Sequence, residues 1–158
     1  RRRIGLNILE SLSLAVKNIV SSKTRTLLTM LGIIIGVAAV IVSGIMLKKA
    51  LDAAVILKGQ GIQVRVLDMA TIKPLDSEAV LKAAVETGAI MTIEDHSIYG
   101  GLGSAVSEVV VQNQPVPIEI VGIQDRFGES GDPELIYKDH GMDVDSIVAK
   151  AKALVARK

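Results

Sequence analysis

The chain has no cysteine and no tryptophan, and in its 158 residues only Tyr99, Phe127 and Tyr137 are aromatic. Without thiols there is no disulfide framework, no Cys-based zinc site and no thiol nucleophile. With so few rings there is no platform on which bases stack, so no nucleic-acid partner is expected. Only two histidines are present, and no residue is assigned a catalytic or metal-binding role.

Charge of one sign is missing locally rather than globally. The net charge of +1 is a cancellation: the chain is +5 up to Leu47, with Glu10 its one acid there, and −4 from Lys48 onward. Between Arg25 and Lys48 no residue is charged, and Leu27 to Leu47 forms an apolar run. About 20 such positions at ~1.5 Å each match a hydrocarbon core of ~30 Å, so the run reads as a transmembrane helix and a candidate membrane contact. Its length and late start argue against a cleavable signal peptide. The basic residues before it place the N-terminus in the cytoplasm and favour anionic lipid as their neighbour.

Upstream, Leu6, Leu9, Leu12, Val16 and Ile19 recur near helical spacing, as in an amphipathic helix lying along a membrane surface. Residues 6–41 (LNILESLSLAVKNIVSSKTRTLLTMLGIIIGVAAVI) resemble the opening of FtsX-like ABC transporter permeases of the macrolide-exporter type. That resemblance implies an interfacial helix, a basic elbow and the head of a first spanning helix. It offers an alternative reading of the chain as a truncated permease or a membrane-anchored α/β binding module.

From Lys48 the pattern changes. Ala50, Leu51, Ala54, Val55 and Leu57 predict a helix ended by Gly59 and Gly61, followed by a strand over 62–68. Asp76 is placed to cap a helix through Thr87 with Gly88 as its stop, and 89–94 reads as the next strand. A glycine loop leads to a helix over 102–112, then a strand over 117–123, a short helix after Pro133 and a longer one over 144–156. Strands alternating with helices at this spacing predict a parallel sheet covered on both faces.

Three stretches of this part, Thr71-Ile-Lys-Pro-Leu-Asp76, Glu94-Asp-His-Ser-Ile-Tyr-Gly-Gly-Leu-Gly-Ser-Ala105 and Asp125-Arg-Phe-Gly-Glu-Ser-Gly131, resemble the C-terminal domain of transketolases, especially the C-terminal subunit of split ones. The resemblance implies a three-layer, Rossmann-like α/β fold with a mostly parallel sheet, preceded by the helical, transmembrane-like segment. It divides the chain into a permease-like part, 1–38, and a transketolase-like part, 39–158. It further implies the non-catalytic portion of a thiamine diphosphate-dependent transferase that moves ketol units between sugar phosphates. The cofactor and its divalent metal then belong to the complete enzyme, with none bound by this chain alone. Its partners are an N-terminal transketolase subunit and further copies of the α/β domain, and its location is cytoplasmic, or membrane-associated if the N-terminal helix is genuine. The family's antiparallel edge strand has no counterpart, so four parallel strands are expected, near 39–43, 62–68, 89–94 and 117–123.

The two resemblances collide at 39–43, which cannot be both sheet strand and membrane helix. Local pattern and global fold normally agree, so the conflict, together with the absence of an initiator methionine, points to a chimeric or fragmentary chain.

Two groups of residues invite a functional reading. Gly100, Gly101, Gly103 and Ser104 lie between a strand and a helix, where free backbone N–H groups can hold an anion. The full G-x-G-x-x-G spacing is missing, and a tight turn needs glycine anyway. His96 beside Glu94 and Asp95 has the composition of a general-base cluster, although neighbours in sequence need not converge. A tight strand-to-helix turn is the preferred reading for the glycines and a polar loop near a subunit contact for His96, so that His96, Gly100, Gly101, Gly103 and Ser104 together mark an anion-binding or interface loop. Asp125, Arg126 and Glu129 are expected to form a structural, ion-paired loop, and Arg65 to face solvent or a subunit contact.

Overall fold

The computed structural model describes residues 38–158. Ala38–Val42 is a strand, β1, in which every residue is buried. Its unbroken apolar sequence, AAVIV, is what a strand covered on both faces requires. This corrects the expected membrane helix over Leu27–Leu47. The last part of that run is a sheet strand, a 3-10 turn at Gly44–Met46 and the start of helix α1, Leu47–Gly59. No helix among the described residues is long and apolar enough to cross a membrane. A buried strand and a membrane span both call for consecutive apolar residues, so hydropathy alone cannot separate them; β-branched Val40, Ile41 and Val42 tip the balance towards the strand. The amphipathic and permease-like readings of residues 6–37 lie outside the described residues.

α1 buries Ala50, Ala53 and Leu57 at helical spacing. It closes with the Gly61 N–H donating to the Lys58 carbonyl at 3.1 Å and the Ile62 N–H to the Leu57 carbonyl at 2.9 Å, with Gly61 at φ +81°. This is a Schellman closure, and it explains why β2 runs over Val64–Asp68 rather than starting at Ile62. Helix α2, Ser77–Thr87, begins where the Asp76 carboxylate accepts the Ala79 N–H at 3.0 Å and ends at left-handed Gly88, as its sequence signals predict. β3 covers Ile90–Ser97, α3 Leu102–Asn113, β4 Ile118–Ile123, α4 Pro133–Asp139 and α5 Val144–Val155.

The four strands are all parallel, in the order β2-β1-β3-β4. One face buries Val40, Val42, Met91 and Ile93 against Leu57 of α1 and Ile147, Ala151 and Leu154 of α5. The other buries Ala39, Ile41 and Ile90 against Val80 and Ala84 of α2 and Leu102, Val106 and Val110 of α3. Three layers result, α/β/α. At ~1.5–3 kcal/mol for each large apolar side chain removed from water, these two clusters are the main stabilising term. β3 runs beyond the expected 94 because a register shift between Ile93 and Ser97 lets its end continue beside Ile123 of β4.

The two sheet edges are treated differently. At β4, the Arg157 guanidinium donates to the Ile118 carbonyl at 3.3 Å and pairs with Glu119 at 3.0 Å, so a cation sits over the open backbone. At β2, Arg65 pairs instead with Glu86 of α2.

Candidate functional site

The chain leaves β1 for β2 on one side and returns to β3 on the other. The carboxyl ends of β1 and β3 therefore flank the point where the winding direction reverses, the place where parallel α/β sheets open a crevice. A cleft of about 410 Å³ lies there. Ser43, Gly44 and Ile45 line it from the end of β1, Ile72 from the loop after β2, Glu94, Asp95 and His96 from the end of β3, and Gly100 and Gly101 from the turn before α3.

Strand alternation sends Glu94 to one face and Asp95 to the other. Glu94 is buried, and its two carboxylate oxygens accept the Leu102 N–H at 2.7 Å and the Gly103 N–H at 2.8 Å. The first donors of α3, which an exogenous anion would need, are thus held by a carboxylate of the chain itself. This is a charge-assisted contact at the positive end of a helix, and it offsets the cost of burying the charge. The glycines follow from it: a Cβ on Gly101 would overlap Glu94 Oε2, and one on Gly103 would stand 2.5 Å from Ile120 Cγ2. Both positions require glycine for close approach, with no ligand invoked. Ser104 tightens the same turn, its Oγ accepting the Gly100 N–H at 2.9 Å.

Asp95 accepts the Tyr137 hydroxyl at 3.1 Å. Partial burial, then the Asp95 hydrogen bond and charge, push the Tyr137 phenol above the ordinary tyrosine value. The Lys49 ammonium lies 4.9 Å from the Tyr137 ring centre and pairs with Glu134 at 2.6 Å, tying α1 to α4. His96 is exposed, with Nδ1 3.2 Å from the Ser97 carbonyl. Glu94, Asp95 and His96 therefore border one cleft while their hydrogen bonds go to separate partners, and no acid–base pair is assembled.

The loop after β4 holds Arg126 between Glu129, at 2.8 Å, and Asp139 of α4, at 2.6 Å. The Asp139 hydrogen bond and charge, with Glu129 adding to them, raise the guanidinium further above its ordinary value. Asp125 forms no ion pair among the described residues; it occupies the left-handed turn at φ +50°. Sequence reading paired Arg126 with its neighbours and missed Asp139, and likewise missed Tyr137 beside Asp95, because both partners come from a helix distant in the chain. It also named Glu94 among the acids without its role as the cap of α3. The available signal was a carboxylate at the end of an apolar strand followed by closely spaced glycines.

A family model described as transketolase, C-terminal domain, matches residues 37–147. A 6-deoxy-6-sulfo-D-fructose transketolase subunit from Clostridium sp. is 44% identical over 123 residues, 78% of this chain and 38% of that protein. An apulose-4-phosphate transketolase subunit from Phocaeicola vulgatus is 43% identical over 118 residues, 75% of this chain and 38% of that protein. The solved structure of a split-gene transketolase, an inactive β4 tetramer, matches with a TM-score of 0.75 at 41% identity, covering 78% of this chain and 40% of that one. The chain thus spans about two fifths of the length of these relatives.

Thiamine diphosphate and its metal do not fit the residues of the cleft. Its lining carries the carboxylates of Glu94 and Asp95 and no lysine or arginine, while the nearest helix N–H donors are already taken. Among the described residues no group of three or more His, Cys, Asp or Glu side chains converges to hold a metal ion.

Proposed function

The chain belongs to the transketolase C-terminal domain family, and on that footing we propose that it is the non-catalytic C-terminal portion of a thiamine diphosphate-dependent enzyme that transfers ketol units between sugar phosphates. The observation that carries this reading is the family match over 37–147, joined to relatives that are themselves named as subunits. In this role the domain supplies architecture. Its own carboxylate closes the helix N-terminus, and the complementary length of the enzyme brings the cofactor, the metal and the sugar-phosphate contacts. The partner is an N-terminal transketolase subunit, and the setting is the cytoplasm, where sugar phosphates are found.

We also propose that copies of the chain associate through the α/β domain, for which the β4 tetramer of a similar chain is the support. The division of the chain near 38 and 39 belongs to the same proposal.

The test is reconstitution. Mixing the purified chain with the N-terminal subunit of a split transketolase should yield ketol transfer that neither shows alone. Absence of activity in a mixture of two folded proteins would count against the reading.

A further inference from the structure

Helices α1, α2, α3 and α5 each bury three or four residues, whereas α4 buries none. Residues 124–135, the loop after β4 and the start of α4, are exposed throughout, and the chain returns to the core at His140 and Met142. Tyr137 leans on the apolar core without being buried in it. Hydrophobic burial, the term that holds the other helices to the sheet, therefore contributes little here.

Polar side chains from three other elements hold α4 instead. Near its start, Glu134 accepts from Lys49 of α1 at 2.6 Å. In its middle, the Tyr137 hydroxyl donates to Asp95 at the end of β3. At its last residue, Asp139 accepts from Arg126, whose other terminal nitrogen holds Glu129 within the loop. The carboxylates of these pairs are open to water, with the Glu134 and Asp139 side chains 71% and 55% exposed. Ion pairs of that kind are individually weak and are screened by salt. The Asp132 cap on the Glu134 and Leu135 N–H groups shapes the first turn, but seven residues are too few to persist as a helix once detached. A segment with little buried apolar surface and solvent-exposed ties is drawn from the low-stability end of a fold.

We propose that residues 124–139 form a strap latched by Lys49, Asp95 and Arg126, which opens while the sheet stays folded. Asp95 lines the cleft between β1 and β3, so opening alters the cleft itself: with Tyr137 withdrawn, the carboxylate is released to take another donor. The latch is polar, and ionic strength sets how often it opens. This is a property of the chain alone and does not depend on the proposed function.

The test is amide hydrogen exchange on the ¹⁵N-labelled full chain, read by nuclear magnetic resonance. The Ile136 and His140 amides, which donate to the Asp132 and Ile136 carbonyls, report on the strap, and the Ala39 amide, which donates to the Ala89 carbonyl, reports on the sheet. In the wild type the two strap amides should exchange at least about 100-fold faster than Ala39, relative to their unstructured rates. Raising NaCl from about 0.05 to about 0.5 M should speed them at least about threefold while Ala39 changes less than about twofold. Arg126→Gln and Tyr137→Phe, each cutting one tie at a side chain that is not buried, should have the same selective effect. Strap amides as protected as Ala39 in the wild type would overturn the proposal, because α4 would then open only with the whole domain. Indifference of the strap amides to salt or to either substitution would also overturn it, as would an equal acceleration of Ala39.

Discussion

The interior of the sheet and its carboxyl end obey opposite rules. In the interior, β1 and the first part of β3 bury Ile41, Ile90, Met91 and Ile93 completely, and the exception, Thr92, is a small hydroxyl. A few residues along β3 the pattern inverts: Glu94, a carboxylate, is 2% exposed, while Phe127, the one phenylalanine, is 96% exposed. The interior is stabilised by many interchangeable apolar contacts. At the carboxyl end, order depends on a few specific polar ones, and apolar surface is left facing outward. The lesson is that a strand can carry stability and specificity in sequence, with the changeover marked by the first charged residue after the apolar run.

The comparison is broken most strongly from the interior side. Ile41→Ala, in the middle of β1, leaves a cavity between two packed layers and is expected to cost about 4 kcal/mol of unfolding free energy, read from urea denaturation. Gly101→Ala attacks the other region by geometry: the added methyl coincides with Glu94 Oε2, the carboxylate must leave its two donors, and the expected loss is about 3 kcal/mol. Glu94→Gln keeps the shape but sets an amide against an N–H donor, for an expected loss of about 2 kcal/mol. Equal stability of wild type and Glu94→Gln would show that the cap adds nothing.

Smaller effects sharpen the contrast. The Tyr137 phenol is raised by burial and by Asp95, so the neutral hydroxyl is favoured in the folded chain. Its contribution is complete below the ordinary tyrosine value and fades as pH rises through the higher folded one. Asp95→Asn should bring the ultraviolet titration midpoint of Tyr137 part of the way down, because burial, the larger cause, remains. Smallest of all, Phe127→Ser should shift monomer stability by less than about 0.5 kcal/mol, since the ring touches mostly solvent.

Most of the fold was legible in the chain. Asp76 and Gly88 mark the two ends of α2, and strand–helix alternation gives the parallel sheet, because caps and periodicity are local properties. The apolar run across Leu27–Leu47 was misleading, since the central strand of a parallel sheet and a bilayer span share one hydropathy pattern. The site was less legible. Glycines at 100, 101 and 103 admit an anion loop or a tight turn from sequence, and what the sequence hides is that a side chain of the protein presses against Gly101 and a neighbouring strand against Gly103. Partners such as Asp139 for Arg126 and Tyr137 for Asp95 depend on where α4 settles, which no local signal specifies.

The central claim is that the N-terminus of α3 is closed by Glu94 to outside anions, as the proposed non-catalytic role of the domain requires. The direct measurement is a nuclear magnetic resonance titration of the ¹⁵N-labelled chain with thiamine diphosphate and Mg²⁺, following the amides of Leu102 and Gly103. The account predicts that both signals stay in place in the wild type. A saturable shift of either amide would mean that the cofactor's diphosphate displaces Glu94, contradicting it.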